Sequence, residues 1–272
     1  MIAVELRKLL RRPRTWWTIA LLNALPTLVA VLLAITDVGP QPGEGPAFLS
    51  AVLTDGTLFP LAALAIVLPL FMPVAVALYA GEAVAGEAQT GTLRYLLVRP
   101  VGRTRVLVAK LVGIMAFVLL AVAVVAAVAY VVGLLVLGGR EDTAATVTAI
   151  SGSTLTTSEV VQRTLLAVLY VALSMLGVAA LALFLSTVSD SSLAAAFGAL
   201  AFLVASTVLL TLDAAQALHP YLPTRYWLAF VDLFRDPILW RDLVRGVALQ
   251  GVYVLVFLGA AWANFGTKDI TS

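Results

Sequence analysis

Residues 81–110 read GEAVAGEAQTGTLRYLLVRPVGRTRVLVAK. This interval lies between apolar runs and gathers Arg94, Arg99, Arg103, Arg105 and Lys110, with Glu82 and Glu87 at its start. On either side the chain is hydrophobic over lengths that suit a bilayer, whose core takes roughly 20 apolar residues of helix to cross. A membrane protein that concentrates Lys and Arg in one short loop presents that loop to the cytoplasm. The expected fold is therefore an all-α polytopic membrane protein organised around this loop.

Composition agrees. Of 272 residues, 62% are hydrophobic and 12% charged, and the mean hydropathy is +1.05. A soluble domain carries about 25% charged residues, so a chain this apolar cannot cover its surface in water. The net charge is only +2; the basic residues cluster by topology rather than as a phosphate-binding face, and no nucleic-acid partner is expected. With no cysteine, disulfides, thiolate metal sites and cysteine nucleophiles are excluded.

Working outward, residues 1–17 are expected to form an interfacial helix. Ile2, Leu6, Leu9 and Leu10 share one face, with Arg7, Lys8, Arg11 and Arg12 opposite, and Trp16 and Trp17 at headgroup depth. A signal peptide is the rival reading, but the apolar run that follows is long and lacks a small-residue cleavage site. Expected spans are 18–35, 58–79, 106–137, 164–185, 193–212 and 245–263, so that residues 1–272 make a single transmembrane domain of six helices. The second span contains Pro60, Pro69 and Pro73; it reads either as a kinked packing helix or as a bent helix lining a cavity. Lys110, in the first turns of the long third run, is expected to project into the cytoplasm.

The interval 36–57 has acids but no Lys or Arg, which marks it as outside. Residues 138–163 read as a polar outside loop, and residues 186–192, STVSDSS, as a short inside turn. Residues 213–242 are too charged to span and too aromatic to be a free loop. An extracytoplasmic aromatic segment is expected there, anchored at the interface by Tyr226, Trp227, Phe230 and Phe234. The early basic clusters place both termini in the cytoplasm and the protein in the plasma (inner) membrane.

Several chemistries are absent. Gly81 and Gly86 mimic the start of a P-loop, but Glu87 and Ala88 follow where Lys and Ser/Thr must hold phosphate and magnesium. The one histidine, His219, adjoins Pro220 in a loop. The middles of the six spans carry no ionisable residue of the kind that couples transport to protons or sodium. No catalytic, cofactor-binding or metal-ligating residue is assigned, so energy for any transport must come from another subunit.

The loop itself offers a physical role. Thr90 or Thr92 can cap a short helix, Leu93, Leu96 and Leu97 form an apolar patch beside Arg94, Tyr95 and Arg99, and Pro100 ends it. Such a helix under the membrane docks a partner; alternatively the loop is a basic flank resting on anionic lipid.

These residues carry a resemblance. Glu87, Gly91-Thr92-Leu93, Leu96-Leu97, Arg99-Pro100-Val101, Arg103 and Lys110, together with the FGTKDI tail at 265–270, resemble the pattern of ABC-2 type permeases, the membrane subunits of ATP-binding-cassette exporters. Gly102 departs from it, standing where serine is frequent. The resemblance implies a non-catalytic half-transporter that pairs with a second copy or a homologue in the lipid bilayer. Two separate ABC ATPase subunits would bind ATP and magnesium below it. It implies a coupling segment at 81–105, comprising Glu82, Glu87, Gly91, Thr92, Leu93, Leu96, Leu97, Arg99, Pro100 and Arg103. It also implies pathway contacts in the second and fifth spans, for which Pro69, Pro73, Ser206 and Thr207 are the candidates. The alternative function is a non-transporting membrane scaffold or assembly factor that binds a cytosolic partner.

Overall fold

The structure is a computed structural model that describes residues 2–36, 56–89, 102–137, 146–148 and 154–267. It is an all-α polytopic bundle. Among the described residues five helices are long and apolar enough to cross a membrane, and a sixth span results if one bent pair is counted as a single crossing.

A short helix, α1 (Ile2–Arg11), runs into the first long helix, α2 (Pro13–Thr36). The break falls at Arg12, because the residue before a proline is driven out of helical geometry, and Pro13 then begins a new helix where its missing N–H costs nothing. The interfacial helix therefore ends earlier than expected, and Trp16 and Trp17 belong to α2.

The second span is two helices, α3 (Phe59–Val67) and α4 (Phe71–Gly81), bent by 59°. Each proline has a place in this shape. Pro60 sits in the first turn of α3, Pro69 in the break, and Pro73 in the first turn of α4, where a proline breaks no intrahelical bond. A short helix, α5 (Ala85–Gln89), follows at once.

Helix α6 (Arg103–Val132) continues as a π-helical turn, Gly133–Leu137. Beyond it the strands β1 (Thr146–Thr148) and β2 (Thr154–Thr156) pair antiparallel. They lead directly into α7 (Thr157–Val188). This helix begins at Thr157 rather than 164, because Thr156 and Glu159 form a reciprocal capping box at its N-terminus. It also carries Ser186 and Thr187 to the far end, so the turn before α8 (Ser192–Leu210) is shorter than the STVSDSS run suggested.

Two 3-10 segments, Asp213–Tyr221 and Trp227–Phe234, connect α8 to the last helix, α9 (Trp240–Thr267). The four aromatics expected as interface anchors do not form a lipid belt. Trp227, Phe230 and Phe234 are buried in the core, and Tyr226 is half-buried. Burying such rings removes about 150–250 Å² each from solvent. That gain is larger inside the bundle than at an interface that wets one edge.

Helix α7 is the axis of the assembly: 67% of its apolar window is buried, against 17% for α9. The outer helices expose Leu21, Leu28 and Leu32, Phe197 and Val204, and Val252, Leu255 and Val256. A surface this apolar fits a lipid solvent, not water.

Candidate functional site

A cluster of ion pairs lies at the end of the bundle that carries the N-terminus. Leu9 is buried there as α1 packs along α6. Gly113 lets α1 approach: a Cβ on it would lie 3.3 Å from the Glu5 Cβ. Glu5, one helical turn before Leu9, is thereby turned inward, and its Oε1 accepts a hydrogen bond from Lys110 Nζ at 2.9 Å.

Lys110 is only 4% exposed. It does not project into the aqueous phase as its place in the sequence suggested. Its ammonium bridges Glu5 and Glu87, and Glu87 Oε1 also accepts from Lys8 Nζ at 3.0 Å. Two carboxylates and two ammonium groups thus neutralise one another, the condition under which buried charge is tolerated. Burial opposes the ionisation of Glu87, but Lys110 and then Lys8 outweigh it and hold its carboxyl below the usual range.

Glu87 is aimed by α5, and α5 is fixed by Ser186 of α7. The Ser186 hydroxyl accepts from the backbone N–H of Val84 at 3.1 Å and of Ala85 at 2.9 Å, and donates to the Gly81 carbonyl at 2.7 Å. One buried side chain therefore satisfies a carbonyl at the end of α4 and two amides at the start of α5. Gly81 is needed for contact with α8, since a Cβ there would meet the Ser192 carbonyl oxygen at 2.9 Å. Ser192 also donates to the Gln89 side chain at 3.2 Å.

The second glutamate, Glu82, pairs with Arg14 at the start of α2. Both line a narrow cleft with Arg12, Thr15, Thr18 and Tyr79, and Tyr79 stacks on Phe117 of α6 with centroids 4.4 Å apart. Helix α9 braces the same end. Trp262 Nε1 donates to Thr104 Oγ1 at 3.0 Å, and Asn264 Nδ2 to Thr187 Oγ1 at 3.2 Å. Residues 82–89 are thus bonded to α1, α2, α6 and α7.

Of the expected coupling residues, the structure brings Glu82 and Glu87 into this junction. Arg103 opens α6, whereas Gly91, Thr92, Leu93, Leu96, Leu97, Arg99 and Pro100 lie outside the described residues. The expected pathway residues are separate from it. Pro69 is exposed at the α3–α4 break, and Pro73 is buried in α4. Ser206 shares a hydrogen bond of 2.8 Å with Thr224, and Thr207 donates to the Leu203 carbonyl. Sequence reasoning missed Glu5, Arg14 and Ser186. For Glu5 a signal existed: it precedes Leu9 by one turn on the same helix face.

At the opposite end, the guanidinium of Arg163 is mostly buried and donates to the carbonyls of Leu233 at 3.1 Å and Arg235 at 2.8 Å. Tyr170 donates to the Tyr226 carbonyl at 2.7 Å, and Gln250 to that of Pro223 at 2.8 Å. His219 contacts the Leu209 carbonyl at 3.0 Å, a local structural bond. Among the described residues, no group of three or more His, Cys, Asp or Glu is arranged to hold a metal ion.

Residues 47–271 match the model of a family described as "Protein of unknown function (DUF2705)". The matched region contains Glu82, Glu87, Lys110 and Ser186 and begins after α1 and α2. No curated protein matches the chain.

Proposed function

From the premise that the chain belongs to the DUF2705 family, we propose that it is the membrane-spanning permease subunit of an ABC-2 type exporter. It works as a pair of such subunits driven by two separate ATPases. The observation that carries this reading is the Lys110 bridge between Glu5 and Glu87. It joins the N-terminal helix, the start of the 81–105 segment and the third span into one body. A stroke delivered to that segment by a cytosolic ATPase would move three elements together.

The resemblance of residues 81–110 to the ABC-2 pattern supports the same reading, as does the lack of ionisable residues at mid-span. The chain would be non-catalytic, with ATP and magnesium held on its partner. Both termini and the junction would then face the cytoplasm at the plasma (inner) membrane. The segment 91–105 would supply the docking helix through Leu93, Leu96 and Leu97.

The test is purification of the tagged full chain from its native cells in mild detergent. A stoichiometric ABC ATPase with nucleotide hydrolysis is the expected companion. A stable chain that binds a cytosolic protein without nucleotide dependence favours the scaffold reading instead.

A further inference from the structure

At the end of the bundle remote from the ion-paired junction, an apolar groove of about 290 Å³ runs between α7 and α9. Leu166, Leu169 and Leu173 form one wall, and Trp240, Val244 and Val247 the other. Most of these side chains are exposed, on an outer face whose solvent is lipid. The volume is near the lower end of small-molecule sites, roughly 300–1,000 Å³. It suits a single slender apolar chain better than a packed protein helix, which is about 10–12 Å across.

The shoulder of the groove is cationic. Arg241 and Arg245 stand on the first two turns of α9, exposed, next in sequence to Trp240 and Val244 of the wall. Neither has a side-chain partner among the described residues. The nearby carboxylates Asp232 and Asp236 face other arginines. Asp232 is paired with Arg235, and Asp236 lies 4.0 Å from Arg163. Arg241 and Arg245 fall about 100° and 140° round the helix from Trp240, and Asp242, three positions before Arg245, forms no ion pair with either among the described residues. An apolar slot with an indole in its wall and two exposed guanidinium groups on the same helix matches an acyl chain topped by a phosphate. Trp favours that depth of the membrane, and Arg holds phosphate through forked hydrogen bonds.

We propose that the groove between α7 and α9 binds one acyl chain of an anionic glycerophospholipid, whose phosphate is held by Arg241 and Arg245. The site concerns the lipid environment and not the energy source, so it stands or falls separately from the permease reading.

The test is native mass spectrometry of the full chain, released from micelles doped equally with phosphatidylglycerol and phosphatidylcholine. The expected result is one retained phosphatidylglycerol per chain, favoured at least fivefold. Leu169→Trp, which fills the slot, and the pair Arg241→Glu with Arg245→Glu should each lower retention at least tenfold. Arg11→Glu, on an exposed arginine at the other end, should not. The arginine pair is exposed and unpartnered, so that variant is expected to fold even if the groove variant does not. Retention unchanged in the arginine variant, no preference for phosphatidylglycerol, or a Leu169→Cys disulfide joining two copies across the groove would overturn the proposal.

Discussion

Lys110 Nζ lies 2.9 Å from Glu5 Oε1, although the two residues are 105 positions apart. With Glu87 on its other side, the lysine is the pivot between the N-terminal helix and the loop that follows the second span. A buried ion pair adds little net stability over a packed apolar core, but removing one partner strands the other charge.

Lys110→Ala should therefore destabilise the protein by about 3–5 kcal/mol, read as a drop in unfolding temperature in detergent. Glu5→Gln should cost less, because Glu87 still faces the ammonium. A double-mutant cycle over Glu5 and Lys110 should show coupling, as expected of residues in one network. Additive effects would mean that the bridge is not formed.

The pH dependence follows from Glu87. Its folded-state carboxyl titrates below the ordinary value of 4.5 because Lys110 and Lys8 overcome the effect of burial. A depressed carboxyl adds stability that is fully present above the ordinary value and is lost as pH falls through the folded one. The stability advantage of the wild type over Glu87→Gln should be constant above about pH 5.5 and shrink below pH 4.5, the ordinary value. An advantage that instead faded on the alkaline side of neutrality would contradict the pairing.

Ser186→Ala removes the acceptor for two buried amides and the donor to Gly81. The expected loss is about 1–3 kcal/mol for each group left unsatisfied. It should come with faster hydrogen exchange at Val84 and Ala85 while the rest of α7 stays protected. Unchanged exchange at those two amides would show that the serine does not hold the turn.

At the opposite end, Arg163→Met should release the 3-10 segment Trp227–Phe234 from α7, because the carbonyls of Leu233 and Arg235 lose their donor. The predicted outcome is cleavage near residues 235–239 by an added protease that leaves the wild type intact.

The spans were legible because partitioning into lipid depends on summed hydrophobicity, which composition reports directly. What was not legible is partnership. Residues 157–163 read as a loop from their polarity, yet a capping box starts a helix there and backbone carbonyls satisfy Arg163. Lys110 read as a solvent-facing charge because its partners Glu5 and Glu87 come from distant parts of the chain. Trp227, Phe230 and Phe234 read as interface anchors, since an aromatic's preference for headgroups and for a core look alike in a sequence. Three prolines mark the second span as kinked or bent, but only the folded chain puts the break between Val67 and Phe71 and gives its 59°. Glu82 and Glu87 were singled out for coupling, and both enter the junction, while Ser186 carried no sequence mark beyond its polar run.

The most direct measurement is a pull-down and ATPase assay on Leu96→Ser with Leu97→Ser, beside an Arg94→Gln and Arg99→Gln control. A docking helix buries those leucines in its partner, at about 1.5–3 kcal/mol each. A basic flank on lipid instead draws on the arginines, at ~1 kcal/mol each. The expected result is an inserted, abundant leucine variant that no longer retains or stimulates its ATPase, while the arginine control keeps most of both. Full ATPase binding and stimulation by the leucine variant would contradict the permease assignment.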